Sequence, residues 1–182
     1  MMKMWKFTLK DGREVIVRPL TVEDKDGLFQ MFSSMSNEAL KWSMAPYTME
    51  VIERWISNIK NLIALVAEWN SKIVGYAMIY KFPHPRRRGV GDLAIYVHQD
   101  FHNVGLGTAM MKRLLQLAQK EGMHKIELYV VEDNKVAIHL YKKFGFEIEG
   151  VSKDSFFGSN GKYHNMIKMG LLLNSEKTSI IT

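Results

Sequence analysis

A short loop with two glycines, His102-Asn103-Val104-Gly105-Leu106-Gly107-Thr108, constrains the fold of this chain more than any other feature. It lies between an apolar run, Leu93 to Val97, and a helical pattern that begins at Leu106. Glycines one residue apart allow a sharp backbone turn, and the first turn of a helix leaves several N–H groups without intrahelical partners. A strand, loop and helix arranged in this way bind anions, phosphates in particular.

Three kinds of phosphate loop contain glycines in a similar arrangement. The spacing of residues tests two of them directly, and the third depends on a second motif described below. A P-loop needs Gly-Lys-Ser/Thr, which is absent here. A dinucleotide-binding loop needs a third small residue where this chain has Met110, and it needs a strand that runs directly into the first glycine. Here about seven residues separate Val97 from Gly105, although Glu127 does lie roughly 20 residues downstream, where a ribose-binding acid is expected. The spacing therefore disfavours the dinucleotide interpretation.

The length of 182 residues favours one domain with a single core. Hydrophobic residues make up 47% of the chain and there is no low-complexity tract, which is typical of a folded globular protein. We predict one domain over residues 1–173 and a mobile tail over residues 174–182. No apolar run reaches the roughly 18 residues of a membrane span, and residues 1–10 lack the apolar core of a signal peptide. We therefore expect a cytoplasmic protein that does not engage a membrane.

The composition restricts the chemistry that is available. With no cysteine, the chain has no disulfide, no thiolate metal site and no cysteine nucleophile. Acyl transfer would have to use another nucleophile or go directly from donor to acceptor. The net charge of +6 suits an anionic ligand or an acidic partner, but the basic residues are spread along the chain apart from Arg86-Arg87-Arg88, which is typical of a solvated turn.

Hydrophobic periodicity and turn residues predict an alternation of strands and helices. The segment from Trp42 to Tyr47, rich in aromatic residues and methionine, fits core packing or the lining of a pocket, and core packing is favoured. The order predicts a mixed α+β domain with a sheet of about seven strands and helices on both faces. The predicted elements are a strand at Glu14–Arg18, helices after Thr21 (ending near Ser36) and after Thr48, a hairpin of Ile63–Trp69 and Lys72–Phe82 turning at Asn70-Ser71, a strand at Gly91–Val97, a helix from Leu106 to Gly122, a strand at Lys125–Val131, a helix from Asn134 to Gly145, and strands at Phe146–Val151 and Tyr163–Leu173.

A second motif decides how the glycine loop is interpreted. It is Asn134-Lys135-Val136-Ala137-Ile138-His139-Leu140-Tyr141-Lys142-Lys143-Phe144-Gly145-Phe146. It resembles the Asn-x-x-Ala-x-x-x-Tyr-x-x-x-Gly-Phe signature of the GNAT N-acetyltransferases at every position. The glycine loop resembles the pyrophosphate loop of the same family, Arg/Gln-x-x-Gly-x-Gly/Ala, with His102 where Arg or Gln is usual. The two motifs occur in the family's order, and the resemblance covers roughly residues 91–146.

This resemblance implies a GNAT-like, mostly antiparallel sheet in which two splayed parallel strands, Asp92 to Val97 and Lys125 to Val131, hold acetyl-coenzyme A as co-substrate, with no metal. The pantetheine chain would add to the open edge of the first strand, and backbone N–H groups near Tyr96 and Val97 would bind the thioester carbonyl. The remaining implied cofactor-binding residues are His102, Asn103, Val104, Gly105, Leu106, Gly107, Thr108, Asn134 and Tyr141.

Asn134 and Tyr141 are seven residues apart, which places them on the same side of a helix. The resemblance implies that Tyr141 is the general acid that protonates the departing thiolate. Without the resemblance, the pattern predicts only that Tyr141 is a half-buried aromatic residue and that Asn134 is a helix N-cap. The N-cap role is compatible with cofactor binding.

An attacking amine must lose a proton, directly or through water. Asp92 lies where related acetyltransferases often carry a glutamate, and Glu68 on the neighbouring hairpin is the other candidate base. Either could simply be a strand acid that faces solvent, and we favour Asp92. The histidines His84, His98, His102 and His164 have suitable chemistry, but lone histidines are more often structural.

We interpret the chain as an enzyme that moves an acetyl group from acetyl-coenzyme A directly to a primary amine of an amino acid-like small molecule or of a protein. Members of the family often form dimers, so a homodimer is compatible with the resemblance. One alternative is a non-catalytic coenzyme A-binding module. The other, a nucleic-acid-binding protein that uses Arg86 to Arg88, is disfavoured because no recognition helix or aromatic platform is evident.

Overall fold

The computed structural model describes residues 3–173, so the predicted tail at residues 174–182 lies outside the described residues. One sheet of eight strands, in the order β1-β2-β3-β4-β5-β6-β8-β7, forms the centre of the domain. The strands are β1 (Trp5–Thr8), β2 (Glu14–Pro19), β3 (Leu62–Trp69), β4 (Lys72–Lys81), β5 (Val90–Val97), β6 (Lys125–Val131), β7 (Glu147–Phe157) and β8 (Tyr163–Leu172). The helices are α1 (Lys25–Ser34), α2 (Asn37–Leu40), α3 (Met49–Ser57), α4 (Leu106–Lys120) and α5 (Lys135–Lys143).

Helices cover both faces of the sheet, as the sequence predicted. Alternate residues of each strand face opposite sides. One set packs with α4 and α5 through residues such as Leu93, Leu114 and Ile138. The other set packs with α1 and α3 through residues such as Phe32 and Tyr76. The mixed α+β class is therefore confirmed.

Local turn chemistry accounts for several element boundaries. Asn70 and Ser71 both have positive φ, 48° and 60°, which is the geometry of a two-residue hairpin turn whose twist matches that of the strands. The first helix ends at Ser34, close to the predicted end, and a short extra helix, α2, follows because the Ser36 side chain accepts a hydrogen bond from the Ala39 N–H at 3.1 Å. Strand β1 was missed: it is only four residues long, and its Trp5 and Phe7 are only partly buried against the core.

The only parallel strand pair within residues 3–173 is β5 with β6, and it is short. Pairing runs through three rungs, Val90 with Lys125, Gly91 with Ile126 and Asp92 with Glu127. Beyond the third rung β5 continues to Val97 and β6 to Val131 without pairing to each other. The expected splayed pair is thus confirmed, and it leaves a gap in the sheet between the C-terminal halves of β5 and β6. In the described part of the chain, no helix has the length and apolar character needed to cross a membrane.

Candidate active site

A cleft of about 860 Å³ opens where β5 and β6 separate. Its walls come from both strands, from the N-terminal end of α4, from α5, and from the segment between α1 and α3. Nearly all the predicted cofactor-binding residues line it; Val104 alone does not. Those that do are Tyr96, Val97, His102, Asn103, Gly105, Leu106, Gly107, Thr108, Asn134 and Tyr141.

The glycine loop turns the chain from β5 into α4 through left-handed backbone at two positions. Asn103 has φ 60° and Gly105, the N-cap of α4, has φ 91°. A glycine adopts this conformation without the strain that a side chain would cause. The first helical hydrogen bond runs from the Ala109 N–H to the Gly105 carbonyl at 3.1 Å, so the preceding N–H groups of this turn have no partner within the helix. The loop therefore supplies a concentration of N–H donors at the positive end of a helix that lines the cleft.

His102, which stands where the family usually has Arg or Gln, is engaged within the loop. Its Nε2 lies 2.7 Å from the Val97 carbonyl oxygen, and since that oxygen can only accept, the Nε2–H donates a hydrogen bond to it. The ring thereby links the loop to the end of β5.

A cation reaches the loop from a part of the chain that the sequence analysis did not connect with it. Lys10, between β1 and β2, lines the cleft, and its Cε lies 3.7 Å from the position that a Cβ on Gly105 would occupy. The Lys10 N–H donates to the Val104 carbonyl at 3.0 Å. Nearby, the Arg13 guanidinium donates to the Asp100 carbonyl at 2.7 Å and lies 3.9 Å from the centre of the Phe101 ring. The β1–β2 hairpin thus supports the loop and adds a positive charge beside it.

The peptide groups of β5 alternate between its paired edge and the open splay. On the β4 side, the His98 N–H donates to the Val74 carbonyl at 2.9 Å and the Val90 carbonyl accepts from Phe82 at 3.3 Å. Because ladder hydrogen bonds in an antiparallel pair recur at every second residue, even-numbered peptide groups of β5 face β4. The peptide group of Tyr96 is therefore directed to β4, and the odd-numbered Leu93, Ile95 and Val97 turn theirs toward the cleft.

The segment from Trp42 to Tyr47 serves both of the roles that its composition suggested. Tyr47 is buried against Phe32, and its hydroxyl lies 3.1 Å from that of Tyr96, to which it donates a hydrogen bond. Trp42 and Met44 line the cleft.

Helix α5 places Asn134 and Tyr141 on the same wall of the cleft. The Asn134 side-chain oxygen accepts a hydrogen bond from the Ala137 N–H at 3.3 Å, so Asn134 is the N-cap of α5. Tyr141 is 7% exposed and its ring packs against Phe146. Burial raises the pKa of the Tyr141 hydroxyl, and the negative charge of Asp92 raises it further. Tyr141 is thus a protonated hydroxyl within electrostatic range of Asp92.

Asp92 occupies the last paired rung of β5, opposite Glu127. Its Oδ1 is buried and accepts no hydrogen bond from any residue between 3 and 173. Burial raises the pKa of Asp92 to about 6; the charge of Glu127 adds to the effect, and Arg87 and Lys168 partly offset it. Such a value suits a general base near neutral pH.

Glu127 is held in the charged form by two cations. Arg87 donates to its Oε1, and Lys168 lies 3.1 Å from its Oε2. Burial opposes ionisation of Glu127, but these two contacts outweigh it and lower its pKa. The triple-arginine segment is therefore more than a solvated turn, because its Arg87 forms an ion pair with Glu127 beside Asp92.

A second cavity, of about 420 Å³, lies on the α3 side of the sheet, and Asp92 forms part of its wall. Tyr141 and Asp92 thus line different cavities while remaining electrostatically coupled. The remaining lining residues are Val51, Arg54 and Trp55 of α3, Asn58 at its C-terminal end, and Leu62, Met78 and Tyr80 of the sheet.

The structure places Glu68, the other candidate base, outside both cavities. Its Oε2 lies 3.0 Å from Nη2 of Arg18, whose guanidinium also donates to both carboxylate oxygens of Asp24 at 2.8 Å. Glu68 therefore belongs to an ion network that links β2, β3 and the start of α1. Of the candidate histidines, His98 lies 3.1 Å from Ser34 and His164 lies 2.5 Å from Asp133. No cluster of His, Cys, Asp and Glu suited to a metal ion is present between residues 3 and 173.

Comparison with known proteins identifies the same family that the two sequence motifs resemble. A family model described as the acetyltransferase (GNAT) family matches residues 28–146. The L-amino acid N-acetyltransferase AaaT of Escherichia coli K12 is 37% identical over 106 residues, which cover 58% of this chain and 63% of that protein. The match therefore spans less than two thirds of AaaT. Spermidine N(1)-acetyltransferase of the same organism is 28% identical over 170 residues, 88% of this chain and 87% of that protein.

Solved structures share the fold. A GNAT-family acetyltransferase from Streptococcus pneumoniae superimposes with a TM-score of 0.77 at 28% identity, covering 87% of this chain and 99% of the other. YncA from Salmonella typhimurium, a structure with its cofactor acetyl-CoA, superimposes with a TM-score of 0.75 at 19% identity, covering 89% of this chain and 95% of the other.

Proposed function

The chain belongs to the GNAT family of acetyl-CoA-dependent N-acetyltransferases, and we propose that it transfers the acetyl group directly to a primary amine of a small amino acid-like molecule or of a protein. In this proposal Asp92 is the general base and Tyr141 the general acid. The observation that carries it is the position of these two residues on either side of the β5–β6 splay, one on each cavity and within electrostatic range of each other.

The large cleft is the site for acetyl-CoA. The co-substrate supplies an activated thioester, and the N–H groups of the glycine loop bind its pyrophosphate at the positive end of α4. Lys10 adds a positive charge beside the loop, where the His102 ring is engaged with the Val97 carbonyl. The open peptide groups of Leu93 and Ile95, with the N–H of Val97, bind the pantetheine chain as an added strand would, and an N–H of this set stabilises the negative charge that develops on the thioester oxygen.

The proton transfers follow from the two ionisation states. The acceptor reacts as its neutral amine, an ammonium having first lost one proton to solvent. The amine nitrogen forms a bond to the acetyl carbon as the carbon–sulfur bond breaks, and Asp92, which has a pKa of about 6 and is ionised at neutral pH, accepts the proton that this nitrogen loses. Tyr141, which burial keeps protonated, gives its proton to the departing thiolate and regains one from the protonated Asp92 through solvent. Since Glu68 is held by Arg18 outside both cavities, Asp92 is the preferred base.

The test is calorimetric titration with acetyl-CoA of the wild type, Gly105→Glu and Gly122→Glu. Both glycines have positive φ, 91° and 73°, and they flank α4 at its two ends, so the backbone strain of each substitution is matched. Of these two glycines, Gly105 lines the cleft and Gly122 does not. We expect micromolar binding by the wild type and by Gly122→Glu, and none by Gly105→Glu. Absence of wild-type binding, or equal binding by all three proteins, would overturn the assignment of the cofactor site.

A further inference from the structure

The cavity on the α3 side carries opposite charges on two walls. Helix α3 presents Val51, Arg54 and Trp55 to it, at the spacing of three and four residues that aligns side chains along one side of a helix, and Asn58 follows at the helix C-cap. Strand β5 contributes Asp92, whose Oδ1 is buried and unpartnered among the described residues. A base and a guanidinium thus line one small space.

Arg54 has a free guanidinium. It is exposed, and within the part of the chain that the structure describes its side chain forms neither an ion pair nor a hydrogen bond, even with Glu50 one helical turn earlier. The acid next to it in sequence, Glu53, pairs instead with Lys25 at 3.3 Å. Other arginines close to the active site are engaged: Arg87 pairs with Glu127, and Arg18 with Asp24 and Glu68.

An acceptor that carries a carboxylate as well as an amine complements this arrangement. We propose that the acceptor is a free amino acid whose carboxylate is bound by Arg54 while its amine lies at Asp92; the inference rests on the proposed function. A guanidinium binds a carboxylate through two parallel N–H donors, which fixes the orientation of the ligand as well as its position. The apolar side chains of Val51, Leu62 and Met78 favour an amino acid with an apolar side chain.

The same charges disfavour the other acceptors. A polyamine would bring a second ammonium group toward Arg54, which is repulsive. A protein lysine has no free carboxylate near its reactive amine, so Arg54 would lack a partner. The volume of about 420 Å³ lies at the small end of ligand pockets, which run from about 300 to 1,000 Å³.

The experiment compares acetylation of L-leucine and L-methionine with that of L-leucinamide and L-methioninamide, and with that of spermidine and a lysine-containing peptide. The amides keep the amine and side chain but lose the carboxylate. The proteins are the wild type, Arg54→Gln, Arg54→Lys and, as a matched control, Arg88→Gln, which removes an exposed arginine outside both cavities.

We expect the wild type to prefer each amino acid over its amide by about 10- to 100-fold in kcat/KM, the range for a hydrogen-bonded charge. Arg54→Gln should lose that preference through a higher KM for the amino acids, with little change for the amides. Arg54→Lys should retain part of it, and Arg88→Gln all of it.

The two proposals fail in different ways. Equal wild-type activity on acids and amides, equal losses on both in Arg54→Gln, or activity confined to spermidine or the peptide would overturn the role of Arg54 and leave the acetyltransferase proposal standing. Acetyl-CoA binding without transfer to any of the amines would overturn both.

Discussion

Asp92 and Glu127 face each other across the last rung that joins β5 to β6. The two carboxylates differ in their partners, since Glu127 is held by Arg87 and Lys168 while Oδ1 of Asp92 accepts no hydrogen bond from residues 3–173. One acid is thereby kept charged, and its charge adds to burial in raising the pKa of the other to about 6. The pair stands at the point where the sheet opens toward both cavities.

The pH dependence of acetyl transfer should report this pair. Because the base must be ionised, kcat/KM for a given amine should fall as the pH falls through about 6. Glu127→Gln removes a negative charge and leaves Arg87 and Lys168 uncompensated; both changes favour the ionised form of Asp92, so this acidic limb should move to lower pH. Profiles from about pH 5 to pH 9 with the same amine for both proteins check the shift. An unchanged limb, or one moved to higher pH, contradicts the assignment of Asp92.

Replacing Asp92 should separate activity from stability. Asp92→Asn should lower kcat about 10²- to 10⁴-fold, the usual contribution of a general base. The native pKa of Asp92 lies above its reference value of 3.8, so ionisation is disfavoured in the folded state, and the stability of the wild type is lower above pH 6 than below pH 4 on account of this group.

The asparagine variant is neutral and escapes this penalty. Its Tm at pH 8 should therefore equal or exceed that of the wild type, and the difference should shrink toward pH 4. A lower Tm at pH 8 would show instead that Asp92 stabilises the fold.

Tyr141→Phe tests the general acid. The buried ring keeps its contact with Phe146, so the variant should fold and bind acetyl-CoA like the wild type. Loss of the hydroxyl should lower kcat by about 10² or more, because the thiolate then departs without a proton. Calorimetry and steady-state kinetics measure the two effects. Undiminished turnover would remove the catalytic role of Tyr141.

Lys10→Ala should weaken acetyl-CoA binding without changing kcat. One charge-assisted contact at a partly exposed site corresponds to about a 3- to 10-fold rise in Kd. The matched control is Lys72→Ala, an exposed lysine beside another hairpin turn and outside the cleft. S-acetylpantetheine, which lacks the pyrophosphate, should be used equally well by all three proteins. A Kd for acetyl-CoA like that of the wild type would assign Lys10 a role in loop support alone, through its backbone contact with Val104.

Local patterns in the sequence predicted most of the elements. Strand β6 has the predicted bounds, Lys125–Val131, and α4 begins at Leu106 as predicted, because apolar periodicity, the hairpin turn at Asn70-Ser71 and the glycine after α4 act within a few residues of the chain. β1 was missed since a four-residue, partly exposed strand is stabilised by pairing with β2 rather than by its own pattern.

The sequence by itself thus determined the α+β class, the glycine loop at the start of α4 and the presence of Tyr141 on the following helix, since each depends on residues that are near one another in the chain. Only the tertiary structure decided three contacts. Lys10 lies beside Gly105, Arg18 forms an ion pair with Glu68 outside the site, and Asp92 is paired with Glu127 across β5 and β6. These contacts join residues that are distant in the chain, and they depend on strand order and register. Burial and neighbouring charge, which set the pKa of a carboxyl group, exist only once those strands have paired.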